Sequence, residues 1–137
     1  MDTEKVALLA PDLRKTSPRS PRSPLGAYGA LAARALDKCR AELVGTSGSY
    51  HFNCPLDQQF FKFSGIDSDR FKTFVASGAT DDEVAHWLEQ ESKIKDPAKI
   101  AAWARRFRMN PITLVLDFDD WLHRRKNEAG RAKNSAR

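Results

Sequence analysis

The sequence predicts an all-α fold: a single-domain bundle of five to six short helices, preceded by an extended Ser-Pro-rich strap. Apolar residues recur at helical spacing, as Ile100, Trp103, Ala104 and Phe107 do at i, i+3, i+4 and i+7. Four predicted helices begin at a capping residue followed by Pro or acidic residues. The alternation of polar and apolar residues that is typical of β-strands is weak in this sequence. It is compatible with one short β-hairpin near residues 43–53.

Residues 1–24 are predicted to form an N-terminal arm and the strap. We assign no secondary structure to residues 1–10. Residues 11–24 read PDLRKTSPRSPRSP, and Ser-Pro steps favour extended, polyproline-like backbone. Composition alone favours a flexible leader. The alternative is an ordered strap across the domain, with Arg19 and Arg22 paired to carboxylates.

The helical domain is predicted to span residues 25–126, followed by a basic tail at residues 127–137. Its first helix runs from about Tyr28 to Val44, with Cys39 on the apolar face as a small buried hydrophobe. Further helices begin near Pro55, Asp67, Thr80, Asp96 and Asn110. The aromatic residues Phe60, Phe74, Trp87 and Trp103 are predicted to be largely buried in one core.

The stretch YHFNCPLD at residues 50–57 combines polar residues with the start of a helix. Pro55 suits the first helical position, where its missing N–H costs nothing, and Cys54 is then the N-cap. Asp57 falls in the first turn, where a carboxylate complements the positive end of the helix dipole. Gly65 is predicted to end the helix with a positive φ.

Four runs of the sequence resemble a known family: LRKTSPRSP, LGAYGALAARALDKCRAEL, GSYHFNCPLDQQFFKFSGID and VASGATDDEVAHWL. The family is one of small bacterial proteins, catalogued as domain of unknown function number five thousand and sixty-nine. The resemblance spans about residues 12–90, and YHFNCPLD is its most specific part. It implies a bacterial cytoplasmic protein and supplies no catalytic residues. Because it includes the Ser-Pro segment, it favours the ordered strap.

The polar residues around Pro55 are predicted to line one partly enclosed pocket at the N-terminus of its helix. The binding candidates are Tyr50, His51, Asn53, Cys54, Asp57 and Arg40. Free N–H groups and a positive helix end suit an anion or a polar ligand head. Asp57 limits how negative that ligand can be, which favours a small polar or zwitterionic group. Arg40 is predicted to form an ion pair with Asp57.

The favoured function is a non-catalytic binding or interaction module for a small polar ligand or a protein. The alternative is a thiol-dependent enzyme with Cys54 as nucleophile and His51 as its base, since a helix N-terminus stabilises a thiolate. We predict no metal site, because such a site needs three or four converging ligands, and we predict no cofactor.

The net charge of +5 lies at the two ends of the chain. Residues 25–123 hold 12 Lys and Arg against 14 Asp and Glu, whereas residues 124–137 carry +5. Weak nucleic-acid binding through these ends is a third hypothesis, disfavoured because the aromatic residues fall on core faces. No apolar run could span a bilayer, and the start lacks a signal-peptide pattern. We therefore predict a cytoplasmic protein.

Overall fold

The computed structural model describes residues 1–109, and every regular element in this part of the chain is a helix. The helices are α1 (Thr3–Leu9), α2 (Ala32–Leu43), α3 (Pro55–Ser64), α4 (Ser68–Ala76), α5 (Asp81–Glu91) and α6 (Pro97–Arg108). The predicted all-α class is confirmed. The helix predicted to open near Asn110 and the basic tail at residues 127–137 lie outside the described residues.

The central helix is α2, which packs against α1, α3 and α4. Its residues 32–41 are all buried. The predicted start of this helix at Tyr28 is wrong, because Leu25 and Tyr28 exchange two backbone hydrogen bonds of 2.7 and 3.1 Å across a tight turn. Leu31 then leads into the helix with a φ of 67°, in the left-handed region.

The N-terminal arm contains a helix that the sequence did not predict. Asp2 caps α1 by accepting a 3.1 Å hydrogen bond from the Lys5 N–H. The Asp2 N–H donates to the Ala76 carbonyl at 2.9 Å, which joins α1 to the end of α4. Val6 is the buried residue of α1. One buried position in seven gives no helical period to recognise.

The predicted start signals of α3, α5 and α6 are confirmed. Cys54 is the N-cap of α3, with Pro55 in the first turn, and Gly65 ends the helix at a φ of 72°. Thr80 and Glu83 form the capping box of α5, with hydrogen bonds of 3.2 and 3.1 Å. In α6, Asp96 accepts from the backbone N–H of Ala98.

The β-hairpin allowed near residues 43–53 is absent from the described structure. The Thr46 N–H instead donates to the Ala41 carbonyl at 2.8 Å, and the Tyr50 N–H donates to the Ser47 carbonyl at 3.0 Å. These bonds close two successive turns at the end of α2, and Gly48 inside the second turn has a φ of 59°. Both turns use the backbone donors that a hairpin ladder would need.

Aromatic residues on α3, α4, α5 and α6 form one continuous set of ring contacts in the described part of the chain. Phe60 is fully buried, as predicted. Phe74, Trp87 and Trp103 are only partly buried and pack against the edge of the same core. Trp103 stacks on Phe63 at a centroid distance of 4.6 Å, and Trp87 stacks on Phe74 at 5.0 Å. Stacked pairs thus cover the core at two places on the surface.

The Ser-Pro segment is an ordered strap that packs on the turn after α2. Leu13 is buried beside Ala41 and Tyr50. The Leu13 N–H donates to the Thr46 carbonyl at 2.8 Å, and the Leu31 N–H donates to the Pro21 carbonyl at 2.9 Å. These backbone bonds at both ends hold the strap against the helical domain.

Arg19 pairs with carboxylates of the helical domain, as predicted, and it thereby connects the strap to α2 and α5. Its guanidinium donates to both carboxylate oxygens of Asp37, at 3.1 and 3.0 Å, and to Asp81 Oδ2 at 2.9 Å. Arg22 is exposed, and its backbone N–H donates to Ser20 Oγ at 3.2 Å. The pairing of Arg22 with a carboxylate stays a prediction.

Replacing Arg19 with methionine is expected to lower the free energy of unfolding by about 1–2 kcal/mol, because Asp37 would lose its bidentate partner in a half-buried site. Partial exposure of Arg19 keeps the loss below that of a buried pair. Urea denaturation measures it. Arg14→Met is the matched control, since the Arg14–Asp12 pair also lies on the strap but is exposed. Equal stability of both variants would contradict a structural role for Arg19.

Candidate functional site

Asp57 lies at the centre of the region predicted from the sequence. It is completely buried, and its Oδ2 accepts the Asn53 N–H at 3.0 Å. Lys38 Nζ lies 2.9 Å from Oδ1, and the Lys38 side chain is 3% exposed. The predicted Arg40–Asp57 pair is therefore wrong, because Lys38, two residues before Arg40 on α2, supplies the cation. This charge compensates Oδ1, which makes no well-aligned hydrogen bond.

Cys54 completes a side-chain cluster with this pair. Lys38 Nζ donates to Cys54 Sγ at 3.2 Å. Cys54 is half-buried and makes no side-chain capping bond at the start of α3. Asn53, just before it, has a φ of 61°, a left-handed conformation that Asn tolerates better than most residues. We call Lys38, Cys54 and Asp57 the lysine–cysteine–aspartate cluster.

The other predicted site residues contact different parts of the molecule. Tyr50 is buried under the strap, where its hydroxyl donates to Ser17 Oγ at 3.4 Å and the Arg34 guanidinium lies 5.7 Å from its ring. His51 is exposed. Asn53 lines an open groove of about 470 Å³ that runs toward the start of α4. Asn53, Cys54 and Asp57 thus lie together, and ligand binding by the predicted set stays a prediction.

A second polar cluster joins the strap to α2 and α5. Arg40 Nη1 donates to Asp81 Oδ1 at 2.7 Å, and Arg40 Nη2 donates to the Ala79 carbonyl at 2.9 Å. Arg19 bridges Asp37 and Asp81 from the strap side. Burial would raise the pKa of Asp81, but the hydrogen bonds from Arg40 and Arg19 outweigh it and lower that pKa. Asp81 is thereby held in its charged form.

This network forms the floor of an open groove of about 540 Å³, which we call the charged groove. It is lined by Leu8, Leu9, Arg19, Asp37, Arg40, Thr80, Asp81 and Asp82. The Asp81 side chain is 45% exposed, and Asp82 is exposed. Leu8 is 86% exposed. Carboxylates, guanidiniums and apolar side chains therefore meet on one accessible surface.

The sequence interpretation chose Arg40 instead of Lys38 as the partner of Asp57, and it did not identify Asp81 as a partner of Arg40. Lys38 belongs to the run ALDKCRAEL, and charged residues inside a helix that is buried all round indicate paired charges. Asp81 was seen only as an acidic residue in the first turn of α5. Asp81 pairs with Arg40, and the two residues are 41 positions apart in the chain. No pattern among neighbouring residues can therefore indicate this pair.

Cys39 differs from Cys54. It is completely buried, and this burial raises the pKa of its thiol to about 12. Its predicted place in the core is confirmed.

Among residues 1–109, no group of His, Cys, Asp or Glu side chains is arranged to hold a metal ion. In the same range, no helix combines the length and the apolar character needed to cross a membrane.

Comparison with protein families identifies the relatives of this chain. A family model described as "Domain of unknown function (DUF5069)" matches residues 15–113. The chain belongs to this family. The resemblance recognised in the sequence is thereby confirmed. A search of curated proteins found no match.

The family match covers both polar clusters. It begins inside the strap, before Arg19, and extends beyond α6. Leu8 and Leu9 of α1 lie before the matched range, so the apolar rim of the charged groove is a feature of this chain outside the family model. The description of the family names no activity.

Proposed function

We propose that this protein is a non-catalytic binding module whose ligand site is the charged groove. The ligand we propose is a small zwitterionic molecule that has an ammonium group, a carboxylate and an apolar part. One observation carries the proposal: the partly exposed Asp81, the exposed Asp82, the half-buried Arg19 and the exposed Leu8 lie close together on one open surface.

Each part of such a ligand has a matching group in the groove. Asp81 and Asp82 can accept hydrogen bonds from an ammonium, and Arg19 presents a guanidinium to a carboxylate. Leu8 and Leu9 expose apolar side chains to solvent, and contact with the apolar part of the ligand would remove this surface from water. A volume of about 540 Å³ falls in the range of small-molecule sites, about 300–1,000 Å³.

The charges of the groove also favour binding over catalysis. Arg40 and Asp81 hold each other in fixed positions, so neither is poised to exchange a proton. The Thr80 hydroxyl accepts the Glu83 N–H as part of the capping box, which occupies it structurally. A surface that keeps its charges constant and its polar groups in place suits recognition of a charged ligand.

The proposal relocates the ligand site predicted from the sequence. The sequence prediction placed the ligand site at the N-terminus of α3. There Asp57 forms an ion pair with Lys38 and accepts a hydrogen bond from the Asn53 N–H. Arg40 is common to both sites. The proposed chemistry of the ligand, small and zwitterionic, is unchanged. We also propose that the protein acts in a bacterial cytoplasm, as the sequence resemblance implies.

Binding of free leucine, measured by calorimetric titration, tests this proposal. Asp82→Asn is expected to weaken binding about tenfold, because one charged hydrogen bond to the ammonium is lost. Glu89→Gln is the matched control, since it removes an exposed carboxylate at the other end of α5. Isoamylamine and isocaproate, which lack the carboxylate and the ammonium respectively, should bind more weakly than leucine. Failure of leucine to bind, or equal binding by both variants, would contradict the proposal.

A thiol-dependent enzyme remains the second candidate, because a lysine ammonium contacts Cys54 Sγ. In this alternative Lys38 replaces the exposed His51 as the group beside the nucleophile. A rate of alkylation by iodoacetamide at neutral pH well above that of a free cysteine would favour the enzyme.

Nucleic-acid binding through the basic ends ranks third. Salt-dependent retention on heparin, with and without residues 124–137, tests it.

A further inference from the structure

The lysine–cysteine–aspartate cluster brings together two groups that can be joined by oxidation. Lys38 Nζ lies 3.2 Å from Cys54 Sγ, and the lysine is held there by burial and by Asp57. Cys54 is half-buried at the start of α3, so that a small oxidant can reach the sulfur. We propose that peroxide converts this pair into a reversible covalent N–O–S bridge between Lys38 and Cys54. The proposal is independent of the ligand site in the charged groove.

The first step oxidises the sulfur alone. The Cys54 thiol reacts with one hydrogen peroxide molecule to give a sulfenic acid, S–OH, and one water. Sulfur loses two electrons, and the O–O bond of the peroxide is broken. The product places its oxygen beside Lys38, the polar neighbour that already contacts the sulfur.

The second step joins oxygen to nitrogen. The Lys38 ammonium passes a proton to the Asp57 carboxylate, 2.9 Å away, which leaves a neutral amine and a neutral acid. The amine, the sulfenic acid and a second hydrogen peroxide molecule then form N–O–S and two waters. One N–O bond forms, one N–H and one O–H bond are lost, and the second peroxide accepts the two electrons. A thiol, an amine and two peroxides thus yield the bridge and three waters.

The fold favours this product over further oxidation. Because Lys38 Nζ is held beside the sulfur, the amine is present at the sulfenic acid at a high effective concentration. The second peroxide can therefore complete the N–O–S bridge instead of adding a second oxygen to the sulfur. The bridge would also remove the buried ion pair, because Asp57 becomes neutral together with Lys38. The reaction links the middle of α2 to the N-cap of α3 by a covalent bond.

Mass spectrometry of the whole chain after treatment with hydrogen peroxide tests the proposal. The expected product gains one oxygen and loses two hydrogens. Tryptic digestion should release a linked pair of peptides joined through Lys38 and Cys54, and dithiothreitol should restore the starting mass. Cys39 is the internal control, since it is completely buried and should be unmodified.

Two variants sharpen the test. Cys54→Ser should fold, because Ser is a better N-cap than Cys, and should form no bridge. Lys38→Arg keeps a cation beside Asp57 and should yield sulfinic acid, with two added oxygens. In the wild-type chain, addition of two or more oxygens at Cys54, a direct S–N bond, a disulfide with Cys39, or no modification would each overturn the proposal. The wild-type result is decisive even if a variant fails to fold.

Discussion

Replacing Lys38 with methionine is expected to lower the free energy of unfolding by about 3–5 kcal/mol, because it removes one partner of a buried ion pair. Asp57 is completely buried, and its remaining partner is the Asn53 N–H. Without the ammonium, the carboxylate must either stay charged in the protein interior or take up a proton. Urea denaturation followed by circular dichroism measures the loss.

Two further variants separate the ion pair from the packing of the lysine stem. Lys72→Met is the surface control: Lys72 lies 3.3 Å from Glu42, and both side chains are over a third exposed, so its loss should be below about 1 kcal/mol. Adding Asp57→Leu to Lys38→Met removes both charges and should recover part of the stability. If Lys38→Met costs no more than Lys72→Met, the ion pair does not anchor α3 to α2.

Helix starts were predictable because their signals are local. Pro55 and Pro97 each occupy a first helical turn, where proline suits the backbone. Thr80 and Glu83 satisfy each other's backbone N–H groups within one turn. Such signals use residues three or four positions apart, so the sequence contains the whole interaction. The starts of α3, α5 and α6 follow directly.

The start of α2 depends on distant contacts instead. Tyr28 fits a helical pattern, yet its ring packs against Phe60 and its hydroxyl hydrogen-bonds with Ser92. These contacts hold the turn at residues 25–28, and Leu31 accepts a positive φ as a consequence. Gly26 and Gly29 also weaken the local helix propensity, and burial of the large aromatic ring of Tyr28 stabilises the turn.

The partner of Asp57 could not be assigned from the sequence for a geometric reason. Lys38 and Arg40 are two residues apart on α2, so their side chains differ in direction by about 200° and only one of them can face α3. An amphipathic helix reveals its inward face through its apolar stripe. In α2 every direction is buried, so this cue is missing. Three-dimensional packing decides that Lys38 faces Asp57 and Arg40 faces Asp81.

Replacing Phe60 with alanine is expected to lower the free energy of unfolding by about 3–5 kcal/mol, because it leaves a cavity in the middle of the core. Phe60 is completely buried on α3. Its ring meets Tyr28 edge-on at a centroid distance of 5.0 Å and Phe61 at 5.1 Å. Edge-to-face pairs add stability beyond the buried area. The lost ring therefore removes contacts with both Tyr28 and Phe61.

Trp103→Ala is the comparison that tests this assignment of the core. Trp103 is larger than Phe60, but it is partly buried and stacks on Phe63 at the core edge. If burial decides the cost, the tryptophan variant should be the less destabilised of the two in urea denaturation, despite losing more atoms. Because Tyr28 packs on Phe60, loss of near-ultraviolet circular dichroism from tyrosine is expected in Phe60→Ala. A larger loss for Trp103→Ala would place the centre of the core between α3 and α6 instead of beneath Tyr28.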